Sequence, residues 1–328
     1  DYFFSLPKII DLTIQQQSVL YEEDPVSLSG GAGTGKSVVS IYKHLQNYEK
    51  GTSSILMTYT KSLQKYLFQS IKQINPEASK RVHSAKGCLI PKNKKYCDGV
   101  FEIIIDEAQD LSYSDIKILK GFSKILSYGA DFNQQLYSDC ITKEEIKGLF
   151  PENEEINLEE NFRNTKEIIN FTKEIIPDFK INSNIEKTSE KPILFVGNDY
   201  ESQVLKIIEN YSSDKENIAI LFPFAKNVQY LFEKIKSQVD CSCYHSKLEN
   251  KDTNIKNIHI TTFKSSKGLE FDTVIIPEFN NFDYYINNMD TVSKNDYYVA
   301  FTRSKTNLFL ISSEDLDIDK KTYDMETF

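Results

Sequence analysis

Short runs of apolar and β-branched residues alternate along the whole chain with segments whose apolar positions return at helical spacing. A strand covered on both faces reads as an unbroken apolar run, whereas a helix lying on a sheet shows a single apolar stripe. The alternation therefore predicts an α/β protein built of parallel sheets flanked by helices. In the first half the predicted strands are Val26 to Leu28, Ser54 to Thr58, Phe101 to Ile105 and Ile125 to Tyr128, with helices at Val38 to Tyr48 and Ser114 to Lys124. A second series follows Pro151, with strands at Ile193 to Val196, Ile218 to Phe222, Ile258 to Thr262, Thr273 to Ile276 and Leu308 to Ile311. Helices at Thr165 to Ile176, Glu201 to Tyr211 and Asn227 to Lys236 intervene. Pro, Asn and Glu cluster at Phe150 to Glu155, which marks a boundary. The predicted domains are 1–152, carrying a small insert at about 63–99, and 153–328.

Composition narrows the class. With 328 residues, 40% of them hydrophobic, the chain can bury two cores, so disorder is not the expectation. Lys+Arg 39 against Asp+Glu 48 gives a net charge of −9, which argues against a basic coat but leaves room for a locally basic channel. Cys88, Cys97, Cys140, Cys241 and Cys243 form an odd set without a CxxC pair, so neither a disulfide framework nor a zinc site is predicted. A reduced, cytoplasmic setting is expected, with Cys241 and Cys243 as ordinary packing residues. His44, His83, His245 and His259 lack ligand spacing and read as structural. No run approaches the roughly 20 apolar residues of a membrane helix, and no signal pattern opens the chain. A soluble protein without a membrane partner is expected, and a start at Asp1 rather than Met suggests a piece of something longer.

The chemistry begins at Gly30-Gly31-Ala32-Gly33-Thr34-Gly35-Lys36-Ser37, which satisfies G-x-x-x-x-G-K-[ST] between a predicted strand and a predicted helix. Glycines let backbone N–H groups turn around phosphates, and the helix N-terminus adds its positive dipole end. Lys36 would reach the β and γ phosphates of ATP, and the Ser37 hydroxyl would ligate Mg²⁺. Further on, Ile103-Ile104-Ile105 ends in Asp106-Glu107, placing two carboxylates at the strand edge where ligands of such sheets bind. Asp106 is the expected second Mg²⁺ ligand, and Glu107 the group that positions or deprotonates the attacking water. Alone, an Asp-Glu pair after a strand is usually a solvated loop start; the P-loop beside it supplies a reason for both. In the second half Arg163 and Arg303 are candidates to stabilise γ-phosphate charge, although a lone arginine is more often a surface ion pair.

Six motifs in order over nearly the whole chain resemble those of superfamily 1 helicases of the UvrD/Rep-like kind. Leu12-Thr13-Ile14-Gln15-Gln16-Gln17-Ser18-Val19 resembles the N-terminal glutamine motif, which implies that Gln16 reads the adenine edge. Asp106-Glu107-Ala108-Gln109-Asp110 is the DEAQD form of the acidic motif. Ala130-Asp131-Phe132-Asn133-Gln134-Gln135-Leu136-Tyr137 is similar to the segment whose glutamine, here Gln134, senses the γ-phosphate. Asn161-Phe162-Arg163 resembles N-Y-R, implying that Phe162 stacks on adenine and Arg163 touches phosphate. The segment from Thr262 to Asp272 resembles T-x-H-x-x-K-G-L-E-F, with Glu270 near the ribose. Tyr298-Val299-Ala300-Phe301-Thr302-Arg303 matches Y-V-A-x-T-R, making Arg303 the expected arginine finger. The resemblance implies two RecA-like P-loop NTPase domains hydrolysing ATP with Mg²⁺ in the cleft between them, stepping 3′ to 5′ along single-stranded DNA.

Single strands are gripped by phosphate contacts and by aromatic faces that stack on bases. The resemblance points to Tyr59, Tyr137 and Thr262 as strand contacts. Large helical insertions found in processive relatives have no room here, so a near-minimal core is expected. The chain also lacks Trp, placing Asp139 where relatives carry a tryptophan platform, and Lys264 replaces the usual histidine of the fifth motif. Arg81-Val82-His83-Ser84 matches T-x-H-S only in part, and Pro223 stands where an arginine is common. Two further readings stay open: RNA as the track, since stacking and phosphate grip do not read the 2′-OH, and a nucleotide-gated regulatory subunit controlling a protein partner such as a nuclease. Oligomeric state is not legible.

Overall fold

The computed structural model describes residues 2, 6–179, 181, 184–248, 254–318 and 321–327. Asp1 and Phe328, the outer limits of the predicted domains, lie outside them. The chain divides into two compact units: Phe4–Asn161 with Asn182–Asn184, and Phe162–Ile181 with Ile185–Phe328 and Asp1–Phe3.

Among the described residues the first unit holds six parallel strands: β1 (Val26–Gly30), β2 (Ser54–Thr58), β3 (Val82–Ser84), β4 (Val100–Asp106), β5 (Ser123–Ala130) and β6 (Glu154–Leu158), in the order β3-β2-β4-β5-β1-β6. β2 is buried at every position, and Ile103, Ile104 and Ile105 fill the centre of β4. Such two-sided burial is why these runs are continuous in the sequence. The registers Ser29↔Ala130, Ile105↔Tyr128 and Thr58↔Asp106 bring the C-terminal ends of β1, β5, β4 and β2 to one edge.

Helices start where side chains satisfy their first N–H groups. α1 (Ile14–Tyr21) opens on a reciprocal capping box between Thr13 and Gln16. α2 (Lys36–Glu49) springs directly from the P-loop, and α3 (Lys61–Ile74) is capped by Thr60, whose Oγ1 accepts from the Leu63 N–H at 3.3 Å. The helix expected over Ser114 to Lys124 is Tyr113–Lys120; it stops at Gly121, and Ser123 and Lys124 open β5.

Two expectations are corrected. The boundary at 152/153 moves to Asn161/Phe162, because Glu154–Leu158 is a strand pairing with β1 from Val26↔Glu154 to Gly30↔Leu158. As an edge strand with mostly exposed side chains it reads as loop. The cysteines are not all reduced: Cys88 and Cys97 form a disulfide with a Cα–Cα distance of 5.9 Å. The helical turn Ala85–Cys88 and the 3-10 turn Pro91–Tyr96 fold back on each other, so that two cysteines without motif spacing meet in the core.

The second unit, among the described residues, is a seven-stranded parallel sheet: β7 (Ile193–Val196), β8 (Ile218–Phe222), β9 (Ser242–Tyr244), β10 (Ile258–Thr262), β11 (Phe271–Ile276), β12 (Ser304–Ser312) and β13 (Asp324–Glu326), in the order β13-β7-β12-β11-β8-β10-β9. Helices Lys166–Ile175, Tyr200–Tyr211 and Ala225–Ile235 answer to the predicted periodic segments. Both units thus have the RecA-like arrangement of a parallel sheet flanked by helices. Cys241 and Cys243 are buried in the second core, where desolvation pushes both thiols up to about 11. His259 is buried against Ser242, and burial lowers it to about 4. No described helix is long and apolar enough to cross a membrane.

Candidate functional site

β1 delivers the chain into the glycine-rich loop through Gly30, at φ 148°, where an added Cβ would stand 2.6 Å from both the Leu158 carbonyl oxygen and Thr34 Oγ1. Gly35, at φ 86°, leaves no room for a side chain either, since a Cβ would meet Gln16 Nε2 at 2.4 Å. Only glycine fits either position without strain. The loop carbonyls are taken up by protein donors. Lys36 Nζ donates to the oxygens of Gly30 (2.8 Å) and Gly31 (2.9 Å), and the Thr34 hydroxyl donates to Gly31 O at 3.0 Å. Gln16 Nε2 donates to Thr34 O at 3.0 Å, and Asn161 Nδ2 to Ala32 O at 2.9 Å. With those acceptors engaged, and Lys36-Ser37 opening the 14-residue α2, the anion-attracting groups at the loop are the N–H groups of the helix start and the Lys36 ammonium. Asn161 is a support that sequence reasoning missed; its signal was the first letter of Asn161-Phe162-Arg163, from which only the last two residues had been given roles.

β4 places Asp106 at the same edge, 1% exposed, with neither carboxylate oxygen in a hydrogen bond of normal geometry. Burial, reinforced by the Glu107 charge, pushes its carboxyl up to about 7, against the pull of the Ser37 hydroxyl and the Lys36 ammonium. Gly129 on β5 keeps this space open, since a Cβ there would touch Asp106 Oδ1 and Lys36 Cβ at 3.6 and 3.7 Å. The sequence-predicted Lys36, Ser37 and Asp106 therefore gather in one place.

Glu107 follows in the left-handed region at φ 60°, a conformation that costs a non-glycine residue roughly 1 kcal/mol or more. Gln109, fully buried, stabilises it by donating its side-chain amide to the Glu107 carboxylate. The other end of that amide accepts the Asp131 N–H at 3.1 Å, and Asp131 in turn accepts from Gln134 Nε2 at 2.7 Å. Gln135 Nε2 clamps the backbone, donating to Gln109 O (3.0 Å) and Ile141 O (3.1 Å). A continuous buried relay thus joins Glu107 to the predicted sensor Gln134. Sequence reasoning assigned its two ends and none of its middle.

Asp106 carries a pH prediction. In metal-free protein the folded state holds this proton up to about pH 7, whereas an unfolded aspartate releases it near pH 4. The stabilising contribution is therefore complete at the acid end and lost as pH rises through 7. In thermal unfolding with EDTA, the melting temperature of wild type minus that of Asp106→Asn should fall between pH 5 and pH 8; a pH-independent difference would contradict the placement of this carboxyl.

Tyr59, just beyond β2, and Tyr137 meet with ring centroids 5.0 Å apart, and Lys86 Nζ lies 5.9 Å over the Tyr59 ring. Asp139 nearby is exposed. In the second unit Arg163 Nε donates to Glu270 at 3.0 Å, with Phe162 half exposed beside it. Arg303 is buried and donates to Val299 O (3.0 Å), Leu269 O (3.2 Å) and Thr302 Oγ1 (3.3 Å). Glu270 and Arg303 immediately precede β11 and β12, so this group assembles at the N-terminal edge of its sheet. Thr262 ends β10 at the other edge, its hydroxyl accepting from the Ser265 N–H at 3.2 Å. Lys264, in the place of the expected histidine, pairs with the buried Asp296 at 2.7 Å.

Residues 26–210 match the family model described as Schlafen group 3, DNA/RNA helicase domain, and residues 240–315 match that of the UvrD-like helicase C-terminal domain. A protein of Acanthamoeba polyphaga mimivirus described as an ATP-dependent DNA helicase is 28% identical over 237 residues, covering 63% of this chain and 34% of its own length. Among solved structures, the arterivirus nonstructural protein 10 helicase is similar over 92% of this chain and 62% of its own, with 13% identity and a TM-score of 0.49. For the PRRSV helicase the values are 92%, 54%, 15% and 0.47. The chain thus spans about a third of the mimivirus protein and less than two thirds of either viral helicase.

Proposed function

Because this chain belongs to the Schlafen group 3 DNA/RNA helicase domain family, within superfamily 1, we propose that it hydrolyses ATP to move along single-stranded DNA in the 3′ to 5′ direction. The observation that supports this best is the meeting, in one unit, of a P-loop lysine, a buried carboxylate without a hydrogen-bond partner, and a second carboxylate fixed by a glutamine. Buried anions are kept where a cation compensates them, so Ser37 and Asp106 fit Mg²⁺. When bound, Mg²⁺ would neutralise charge on the β and γ phosphates.

In this reading Lys36 leaves the Gly30 and Gly31 carbonyls for the phosphates, and Glu107 orients the attacking water and accepts its proton. Gln134 reports on the γ-phosphate through Asp131 and Gln109, while Arg163 and Arg303 stabilise charge as the transferred group separates. Gln16 and Phe162 recognise adenine, and Glu270 the ribose. Tyr59, Tyr137 and Thr262 take the strand. The compact segment between β2 and β4, with one 14-residue helix, short helical turns and one edge strand, also favours a second reading, in which the same ATP cycle controls a partner protein such as a nuclease.

ATPase rates with and without single-stranded DNA or RNA, followed by unwinding of 3′- and 5′-tailed duplexes, test the proposal. Strand stimulation with 3′-tail unwinding supports it; stimulation by a protein partner alone supports the second reading, and stimulation by RNA alone changes the track. Tyr137→Ala is expected to weaken strand binding by about 1–3 kcal/mol, the worth of one stacked base. Basal ATPase should stay unchanged. Anisotropy titration with an oligonucleotide checks this, and equal affinity would remove Tyr137 from the strand path.

A further inference from the structure

The net charge of −9 hides a segregation. From residue 61 to 97 the basic residues are Lys61, Lys65, Lys72, Lys80, Arg81, Lys86, Lys92, Lys94 and Lys95, and the sole acidic residue is Glu77. Nine positive charges less one negative leave +8 in this stretch, so the rest of the chain carries −17. At its end stands the disulfide-closed loop Cys88-Leu89-Ile90-Pro91-Lys92-Asn93-Lys94-Lys95-Tyr96-Cys97. Both cysteines are buried in the core of the first unit, whereas Lys92, Lys94, Lys95 and Tyr96 are exposed.

The loop is built rather than trailing. The 3-10 turn Pro91–Tyr96 starts on a proline, Asn93 Nδ2 donates back to Gly87 O at 3.0 Å, and Lys94 lies 5.3 Å over the Phe122 ring while pairing with Asp98 at 3.6 Å. Lys95 sits 4.9 Å over the ring of Tyr96, which is 56% exposed. The preceding turn carries Lys86, the lysine over Tyr59, so the loop continues from the Tyr59–Tyr137 pair. Cations interleaved with an exposed aromatic ring, held on a rigid base, match a sugar–phosphate chain with unstacked bases.

We infer that the Cys88–Cys97 loop is a second nucleic-acid contact surface, an anchor for the phosphate backbone beside the Tyr59–Tyr137 pair. Lys92, Lys94 and Lys95 neutralise phosphates, and Tyr96 offers a face to a base or sugar. The inference rests on the reading of this chain as a nucleic-acid motor only in taking its polyanion to be a nucleic acid; it does not require that ATP turnover respond to it.

The test is a salt titration of dT15 and rU15 binding by fluorescence anisotropy, comparing wild type with Lys92→Gln/Lys94→Gln/Lys95→Gln. A second triple, Lys173→Gln/Lys206→Gln/Lys234→Gln, removes equal charge elsewhere. The loop triple is expected to bind at least about fivefold more weakly at 0.1 M salt, and to lower the slope of log affinity against log salt by about 2, the loss of three single-strand phosphate contacts. The control triple should leave the slope unchanged. Parallel loss with dT15 and rU15 identifies the shared phosphate chain as ligand; loss with one alone names the polymer. Slopes equal to wild type in the loop triple, or equal losses in both triples, overturn the inference, as does absence of binding by wild type. Loop-dependent binding of polyglutamate without binding of either oligonucleotide overturns it in favour of an acidic protein. Loop-dependent strand binding without stimulation of ATPase leaves the surface standing while the motor reading falls.

Discussion

Glu107→Gln is expected to lower ATP turnover by about 10²–10⁴-fold while nucleotide binding persists, since general-base catalysis contributes on that order. The substitution keeps size and removes the basic oxygen. It also keeps an acceptor for the Gln109 amide, the bond that stabilises the left-handed backbone at φ 60°. Loss of turnover can then be assigned to proton transfer rather than to a displaced loop. Steady-state phosphate release, alongside titration with a fluorescent nucleotide, separates the two quantities. Near-wild-type turnover would leave the Glu107–Gln109 pair as a structural device and move the base elsewhere.

Lys36→Ala should remove both binding and turnover, with a loss of about 10²–10³-fold or more in rate, the scale of deleting one preorganised charge partner. Its ammonium donates to the carbonyls of Gly30 and Gly31, so truncation costs the phosphates their counter-charge and leaves two loop acceptors without their donor. Circular dichroism and thermal unfolding should show that the sheet survives, because the aliphatic core of β1, β4 and β5 does not depend on Lys36. A variant that folds and still turns over ATP at the wild-type rate would remove the P-loop from the chemistry.

Strands that lie centrally were legible because burial on both faces writes a continuous apolar run: Ser54–Thr58, Ile193–Val196, Ile218–Phe222 and Ile258–Thr262 fall where the pattern predicts them. Edge strands were not. Glu154–Leu158 and Asp324–Glu326 are largely exposed, so their pairing is written in backbone hydrogen bonds and leaves little hydrophobic trace. Their omission displaced the domain boundary. The disulfide was hidden for another reason: Cys88 and Cys97 are nine residues apart, and only the fold-back through Pro91 makes that spacing bridgeable. At the site, the P-loop and Asp106-Glu107 were legible because the chemistry fixes residue types at fixed offsets. The supports Asn161, Gln109 and Asp131 were not, because Asn161 reaches back to Ala32 and Asp131 to Gln109, contacts between separate segments for which spacing carries no such rule. The basic stretch 61–97 is dispersed rather than a run, and the whole-chain sum of −9 conceals it.

Asn161 is pinned twice, by its side chain to Ala32 O and by its N–H to Asn184 O at 2.9 Å, and it follows closely on a strand zipped to β1. Asn161 is thus held at two points within the first unit, one of them the phosphate loop itself. Any displacement of Ala32 would therefore reach the last residue of that unit's main segment through a single hydrogen bond, with no intervening side chain to absorb it.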